Sequence, residues 1–222
     1  RMFIAALAGT PAGAEMLKGP LTADAINSEE FADAFRTVAT LDQQNGSANS
    51  SVNANDFAAD FNNGLSAVFI NGVWGASQFA GSDNFVSCIY PNSVAISSAN
   101  TGLYVANDLS DAQKELALEF IKYMTSEEVQ SRYFLETSSN PINENVDIQK
   151  LAQESGDPTA LKLAEACDKC NKADTIVLAI DVCWGNDVGG ALQNKFAECA
   201  VAGTDIEAKL AELQAELTAL IG

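Results

Sequence analysis

Trp74 and Trp184, the two tryptophans of this 222-residue sequence, have the surroundings best suited to recognising a small molecule. Trp74 ends the run Asn71-Gly72-Val73-Trp74, and Trp184 opens the run Trp184-Gly185-Asn186-Asp187. A sugar ring has apolar C–H faces and polar edges. An indole beside amides and carboxylates matches both, because the ring gives apolar contact and the polar neighbours pair the hydroxyls. Either tryptophan could instead be a core plug, and composition alone leaves the two readings level. Their place beside Gly and short polar residues, outside the apolar runs, favours the ligand platform.

Other chemistry finds little support. His is absent, which removes the commonest general base and metal ligand. Catalysis would have to run on carboxylates, Cys, Lys or Tyr. Cys167-Asp168-Lys169-Cys170 has C-x-x-C spacing, but a redox pair needs a helix N-terminus to lower a thiol pKa, and this one falls at a helix C-terminus. A zinc site needs two further ligands, and Cys183 and Cys199 do not form a second close pair. A local disulfide or two quiet thiols is the simpler reading. Cys88, inside the apolar run Phe85–Tyr90, reads as a small core residue. Asp24, Glu127 and Glu128 read as helix starts, and no motif pairs two acids as glycoside hydrolysis requires. Gly189-Gly190 lacks a phosphate-loop context. The expectation is no catalytic residue, no metal site and no cofactor.

A net charge of −18 argues against nucleic acid and against anionic membrane surfaces. Hydrophobic residues at 47% and charged residues at 19% are those of a globular protein. No apolar run approaches the ~20 residues that span a bilayer. The opening residues lack the parts of a signal peptide and read as the middle of a fold, so a fragment of a longer protein is expected.

The elements that would carry the tryptophans follow from periodicity. Asn62-Asn63-Gly64 suits a helix C-terminus. Ala67-Val68-Phe69-Ile70 is an apolar run of strand length, expected to be covered on both faces. Asn71-Gly72 would then turn the chain at the strand's carboxyl end, where open α/β sheets bind ligands. Ser28 caps a helix carrying Phe31, Phe35, Val38 and Leu41 and ending at Gly46, before a polar loop to Asn55. A second strand is expected over Val86–Tyr90. A helix over Asp111–Met124 is expected to bury Leu116, Ala117, Phe120, Ile121 and Met124. Further helices begin at Ser126, Pro158 and after Trp184. Ile176–Ile180 reads as a strand or a core connector. The last helix starts at Thr204-Asp205 and presents Ile206, Leu210, Leu213, Leu217 and Leu220.

In their order these pieces resemble the family 1 extracellular solute-binding proteins, the ligand-capturing subunits of ABC importers for sugars. The run FNNGLSAVFINGVWGASQF is similar to the family's F-x-x-G-x-A-A-M-x-x-x-G-x-W segment. DAQKELALEFIKYMTSEEVQSRYF resembles its A-x-x-F-x-x-x-x-x-S-x-E-x-Q helix pair, and SSNPIN the turn after it. VCWGNDVGGALQNKFAECAVAGTDIEAKLAELQAEL resembles its closing segment. The resemblance runs over nearly the whole chain.

It implies an α/β, periplasmic-binding-protein-like type II fold, here the C-terminal lobe plus a segment of the N-terminal lobe. Residues 1–95 and 144–222 would form the C-terminal lobe, and residues 96–143 would cross to the N-terminal lobe, most of which lies outside this sequence. Trp74 and Trp184 match positions where the family places sugar-stacking aromatics, with Asn71, Gly72, Asn186 and Asp187 beside them as ligand-binding residues. The implied protein is a non-enzymatic oligosaccharide-binding subunit. It would close its lobes on the ligand and signal an ABC permease, as an extracellular lipoprotein or in the periplasm. The crossing segment, without the sheet it completes, would pack differently or self-associate with another copy of the chain. The competing readings are a carboxylate-based sugar hydrolase and a purely structural interaction domain with the leucine-rich last helix as its interface.

Overall fold

The computed structural model describes residues 1–45, 54–79, 85–98 and 102–222. Its elements in chain order are α1 (Met2–Ala8), α2 (Pro11–Met16), α3 (Ala23–Ile26), α4 (Glu29–Gln44), α5 (Ala54–Asn62), β1 (Val94–Ser97), α6 (Asp111–Met124), α7 (Glu127–Thr137), α8 (Ile148–Ser155), α9 (Pro158–Asn171), β2 (Thr175–Leu178), α10 (Ile180–Cys183), α11 (Asn186–Cys199) and α12 (Ile206–Ile221). Short 3-10 segments occupy Val73–Phe79 and Pro91–Ser93. The chain divides into two compact units. One comprises Arg1–Val52, Ile89–Thr101 and Lys172–Gly222; the other comprises Asn53–Cys88 and Gly102–Asn171. The chain thus passes between units near residues 52, 88, 101 and 171, where the sequence division places passages near 95 and 143.

The first unit is built on α4. The Ser28 hydroxyl accepts from the Phe31 N–H at 3.2 Å, satisfying one orphan donor of the first turn, and Glu29 and Glu30 add favourable charge there. From that start Phe31 and Phe35 fall one turn apart on one face, both fully buried. Phe3 of α1 meets Phe31 edge-on at 5.0 Å between centroids, and Phe196 of α11 stacks on Phe35 at 4.9 Å. Helices α1, α11 and α12 all lie against α4, and Leu213 and Leu217 of α12 are fully buried in the same cluster. Beside it β1 and β2 pair in parallel, Val94 opposite Thr175 through Ser97 opposite Leu178. The Ile176 region, read from sequence as strand or connector, is therefore a strand.

The second unit has a smaller core of Phe134, Ala152, Ala160, Leu163, Ala164 and Cys167, supplied by α7, α8 and α9. Gln130 is buried there with both ends of its amide used. Its Nε2 donates to Met124 O at 2.8 Å, and its Oε1 accepts from the Ile142 N–H at 3.0 Å. That fastens the break at Pro141 to α7 without leaving a buried polar group unpaired.

Several expectations are corrected. Ala67–Ile70 and Val86–Tyr90 are not strands; among the described residues only β1 and β2 form a ladder. Leu65, Val68 and Ile70 are 76%, 69% and 47% exposed. An apolar run becomes a strand only when a neighbour takes its backbone groups. In Phe85–Cys88 those groups go elsewhere: Lys162 Nζ donates to Phe85 O at 3.0 Å, and Lys169 Nζ donates to Ser87 O. Cys88 is exposed, not in the core. Helix α6 has the expected bounds but no buried residue; Leu116 is 72% and Phe120 55% exposed on its apolar face. Helix α4 is capped by Asn45; Gly46 and the polar loop after it, up to residue 53, lie outside the described residues. Three short helices, α1 to α3, occupy the opening residues.

Ion pairs tie the first unit's surface together. Arg36 of α4 reaches Glu29 at 2.7 Å, Asp33 at 3.0 Å and Glu207 of α12 at 2.8 Å. Between α11 and α12, Lys195 and Lys209 are shared by Glu198 and Glu212 at 2.7–3.2 Å. Hydrogen bonds from Lys209 hold Glu198 and Glu212 below their ordinary 4.5, and Arg36 does the same for Glu207. A carboxylate depressed in the folded state stabilises above its unfolded value, and loses that contribution as pH falls through the folded one. Thermal midpoints measured downward from neutral pH are expected to start falling near pH 4.5. In the double variant Arg36→Met, Lys209→Met that acid-side fall should be shallower. Parallel curves for parent and variant would contradict the assignment.

Candidate functional site

The residues around Trp74 form a turn whose shape is set locally. The Asn71 Oδ1 accepts from the Gly72 N–H at 2.9 Å, and the Gly75 N–H donates to Gly72 O at 2.9 Å. In the 3-10 segment beyond it, side chains three apart share a face. Val73 and Ala76 pack on the α9 cluster, while Trp74 and Ser77 point away from it. Trp74 is left 44% exposed. Its ring lies over Gly72 so closely that a Cβ there would collide with Cη2, Cζ3 and Cε3. A Cβ on buried Gly75 would come within 3.3 Å of the Asn71 Nδ2, so both glycines are places of close approach.

Trp184 sits in the first unit and is held differently. It caps the one-turn α10, and its ring stacks on Phe31 at 6.4 Å between centroids with 26° between planes. It is half-buried, packed against the main cluster, and its Nε1–H is buried without a hydrogen-bond partner among the described residues. A buried indole N–H ordinarily finds an acceptor, so this tryptophan serves in part as the core plug that the sequence left as its second reading. Gly185 follows at φ 91°, ψ 165°, a region open essentially to glycine alone, and this turns the chain into α11. Asn186 and Asp187 then stand exposed in the first turn of α11, where the Asp187 charge suits the helix dipole. Neither side chain is engaged by a hydrogen bond or ion pair among the described residues.

The candidate residues thus form two groups. Asn71, Gly72 and Trp74 share one turn of the second unit, and Trp184, Asn186 and Asp187 share one junction of the first. Sequence reasoning missed Phe31 as the ring behind Trp184, since nothing local links them. It also missed Gly75, although its three-residue spacing from Gly72 was a usable signal.

Little else has the character of a reactive centre. Burial, then the neighbouring Cys170, pushes the Cys167 thiol up to about 12, and burial raises Cys170, Cys183 and Cys199 too. All five cysteines are free. The four raised ones, Cys167, Cys170, Cys183 and Cys199, are thiols rather than thiolates, the opposite of an activated nucleophile. No group of three His, Cys, Asp or Glu side chains suited to a metal occurs among the described residues. Among the same residues, no helix is long and apolar enough to cross a membrane. The carboxylates held low (Glu165, Glu198, Glu207 and Glu212) all belong to ion pairs, and Asp42 is raised by burial.

Comparison with known proteins agrees with a binding role. Residues 2–159, more than half of the chain, match the bacterial extracellular solute-binding proteins. A solved Streptococcus pneumoniae solute-binding protein in complex with the blood group A-trisaccharide is 38% identical, with a TM-score of 0.91. The match covers 99% of this chain and 56% of that one, so the chain spans little more than half the length of its structural relative. Curated proteins supply no match.

Trp184 and Gly185 make a direct test of the local account. Trp184→Phe keeps the ring on Phe31 and removes a buried donor that has no acceptor, so stability should be unchanged or slightly higher. Gly185→Ala should cost about 1–3 kcal/mol for its backbone alone. Urea unfolding of both variants decides. A large loss for Trp184→Phe would mean that the Nε1–H has an acceptor.

Proposed function

The chain belongs to the bacterial extracellular solute-binding proteins, and from that premise we propose that it is the oligosaccharide-binding portion of an ABC importer's receptor, capturing its ligand without catalysis. Its fold is part of a periplasmic-binding-protein-like α/β fold, mostly helical with one small parallel sheet. The observation that carries the reading is the 38% identity over 99% of this chain to a protein whose structure holds a trisaccharide. The exposed indole of Trp74 supplies a surface of the required chemistry. In this reading Trp74, with Asn71 and Gly72 beside it, is one ligand-contacting group, and Trp184, with Asn186 and Asp187 beside it, is another. The intact protein hands its ligand to a membrane permease and is held at the outer face of the membrane by a lipid anchor, or works in the periplasm. Residues 96–143 complete a second lobe. The unburied stripe of α6 supports that role, since Leu116 and Phe120 want an apolar neighbour. The 222-residue chain alone would cover the same stripe by pairing with another copy.

Calorimetric titration of the intact protein with the blood group A-trisaccharide and a panel of other oligosaccharides tests this. Trp74→Ala and Trp184→Ala should each weaken binding by about tenfold or more, the worth of a stacked aromatic contact. The glycan should be recovered uncleaved. Variants that bind every glycan as tightly as the parent would defeat the reading, and release of reducing ends would favour a hydrolase.

A further inference from the structure

We propose that Asn71 and Gly72 are positioning residues that fix the plane of the Trp74 indole before any ligand arrives; the proposal rests on the reading of Trp74 as a sugar platform. Gly72 is not a glycine for the sake of its backbone. The glycines with positive φ among the described residues are Gly64, Gly156, Gly185 and Gly203, so at position 72 an alanine backbone would be unstrained. What an alanine would meet is the Trp74 ring, on Cη2, Cζ3 and Cε3. The missing side chain is the space the indole occupies.

Asn71 holds the floor of that space still. Its Oδ1 accepts from the Gly72 N–H at 2.9 Å, which orients the very peptide on which the ring lies. The Gly75 N–H on Gly72 O closes the other side of the turn, and Val73 and Ala76 anchor it to the cluster on α9. An exposed tryptophan with two free torsions would have to be ordered by its ligand, at a cost in affinity. Here the backbone does the ordering in advance. The Asn71 acceptor oxygen is committed to that task, so Asn71 acts through Trp74 and is not a partner for sugar hydroxyls at that atom.

The test uses the intact protein labelled with 5-fluorotryptophan, the Trp74 resonance being assigned by its loss in Trp74→Phe. Without ligand, Gly72→Ala and Asn71→Ala should each shift or broaden that resonance, while the thermal midpoint and the other tryptophan signals stay near the parent's. Asn71→Asp keeps an acceptor oxygen and should restore the parent position. In titrations with the blood group A-trisaccharide, Gly72→Ala should weaken binding by about tenfold. If Gly72→Ala fails to fold, Asn71→Ala and its rescue by Asn71→Asp decide alone. A Trp74 resonance unmoved in both alanine variants overturns the proposal, as does a moved resonance with unchanged affinity. A parent that binds no glycan, with the resonance shifts still present, counts against the sugar-platform reading and leaves the positioning role upheld.

Discussion

Phe31 and Phe35 must be covered on every side, and the first unit is arranged to do it. One ring takes Phe3 on its edge and Trp184 on its face, and the other takes Phe196. Truncating a buried Phe costs about 3–5 kcal/mol, whereas an exposed ion pair contributes about 1 kcal/mol or less. The aromatic cluster therefore decides where α1 and α11 lie, and the charges around Arg36 and Lys209 adjust how that arrangement responds to pH. Trp184 combines the duties of candidate ligand contact and core residue. Its ring is fixed by Phe31, at the cost of a buried N–H with no acceptor among the described residues.

The second unit solves a similar problem with less. Its buried cluster is one large ring, Phe134, among alanines, a leucine and a cysteine. Much of its order comes instead from polar fastenings: Gln130 across the break at Pro141, and two lysines on the carbonyls of Phe85 and Ser87. Trp74 stands on such a locally determined piece. Its ring lies over Gly72 of its own turn, and the α9 cluster anchors that turn through Val73 and Ala76.

Signals carried within one helix are legible from the sequence. Ser28 and Ser126 cap the helices they start, and the bounds of α6 and the start of α12 agree with capping and spacing. What is not legible depends on a partner elsewhere in the chain. Val68-Phe69-Ile70 has the composition of a buried strand, yet composition cannot supply the neighbour that takes its hydrogen bonds. The pairing goes instead to Val94–Ser97, a segment with a plainer signature. The apolar stripe of α6 is correctly expected as a stripe and wrongly as buried, because burial is a property of two surfaces. At the candidate site the tryptophans and their polar neighbours are visible from residue type. The support of Trp184 by Phe31 is not, since that partner lies far along the chain, and the tight approach of the Trp74 ring to Gly72 shows only in three dimensions.

The closure of α12 over α4 has a consequence in time. Gln214 Nε2 donates to Ile26 O at 2.9 Å across 188 residues, and Arg36 meets Glu207 across 171. Leu213 and Leu217 finish a core begun by Phe3 and Ile4. Phe31 and Phe35 cannot be fully covered until α11, far along the chain, has been synthesised. Until then a greasy, incomplete helix cluster remains open, the kind of state that aggregates or needs a chaperone. The same delay keeps the chain loose during synthesis, the state in which a polypeptide is most readily threaded through a narrow channel.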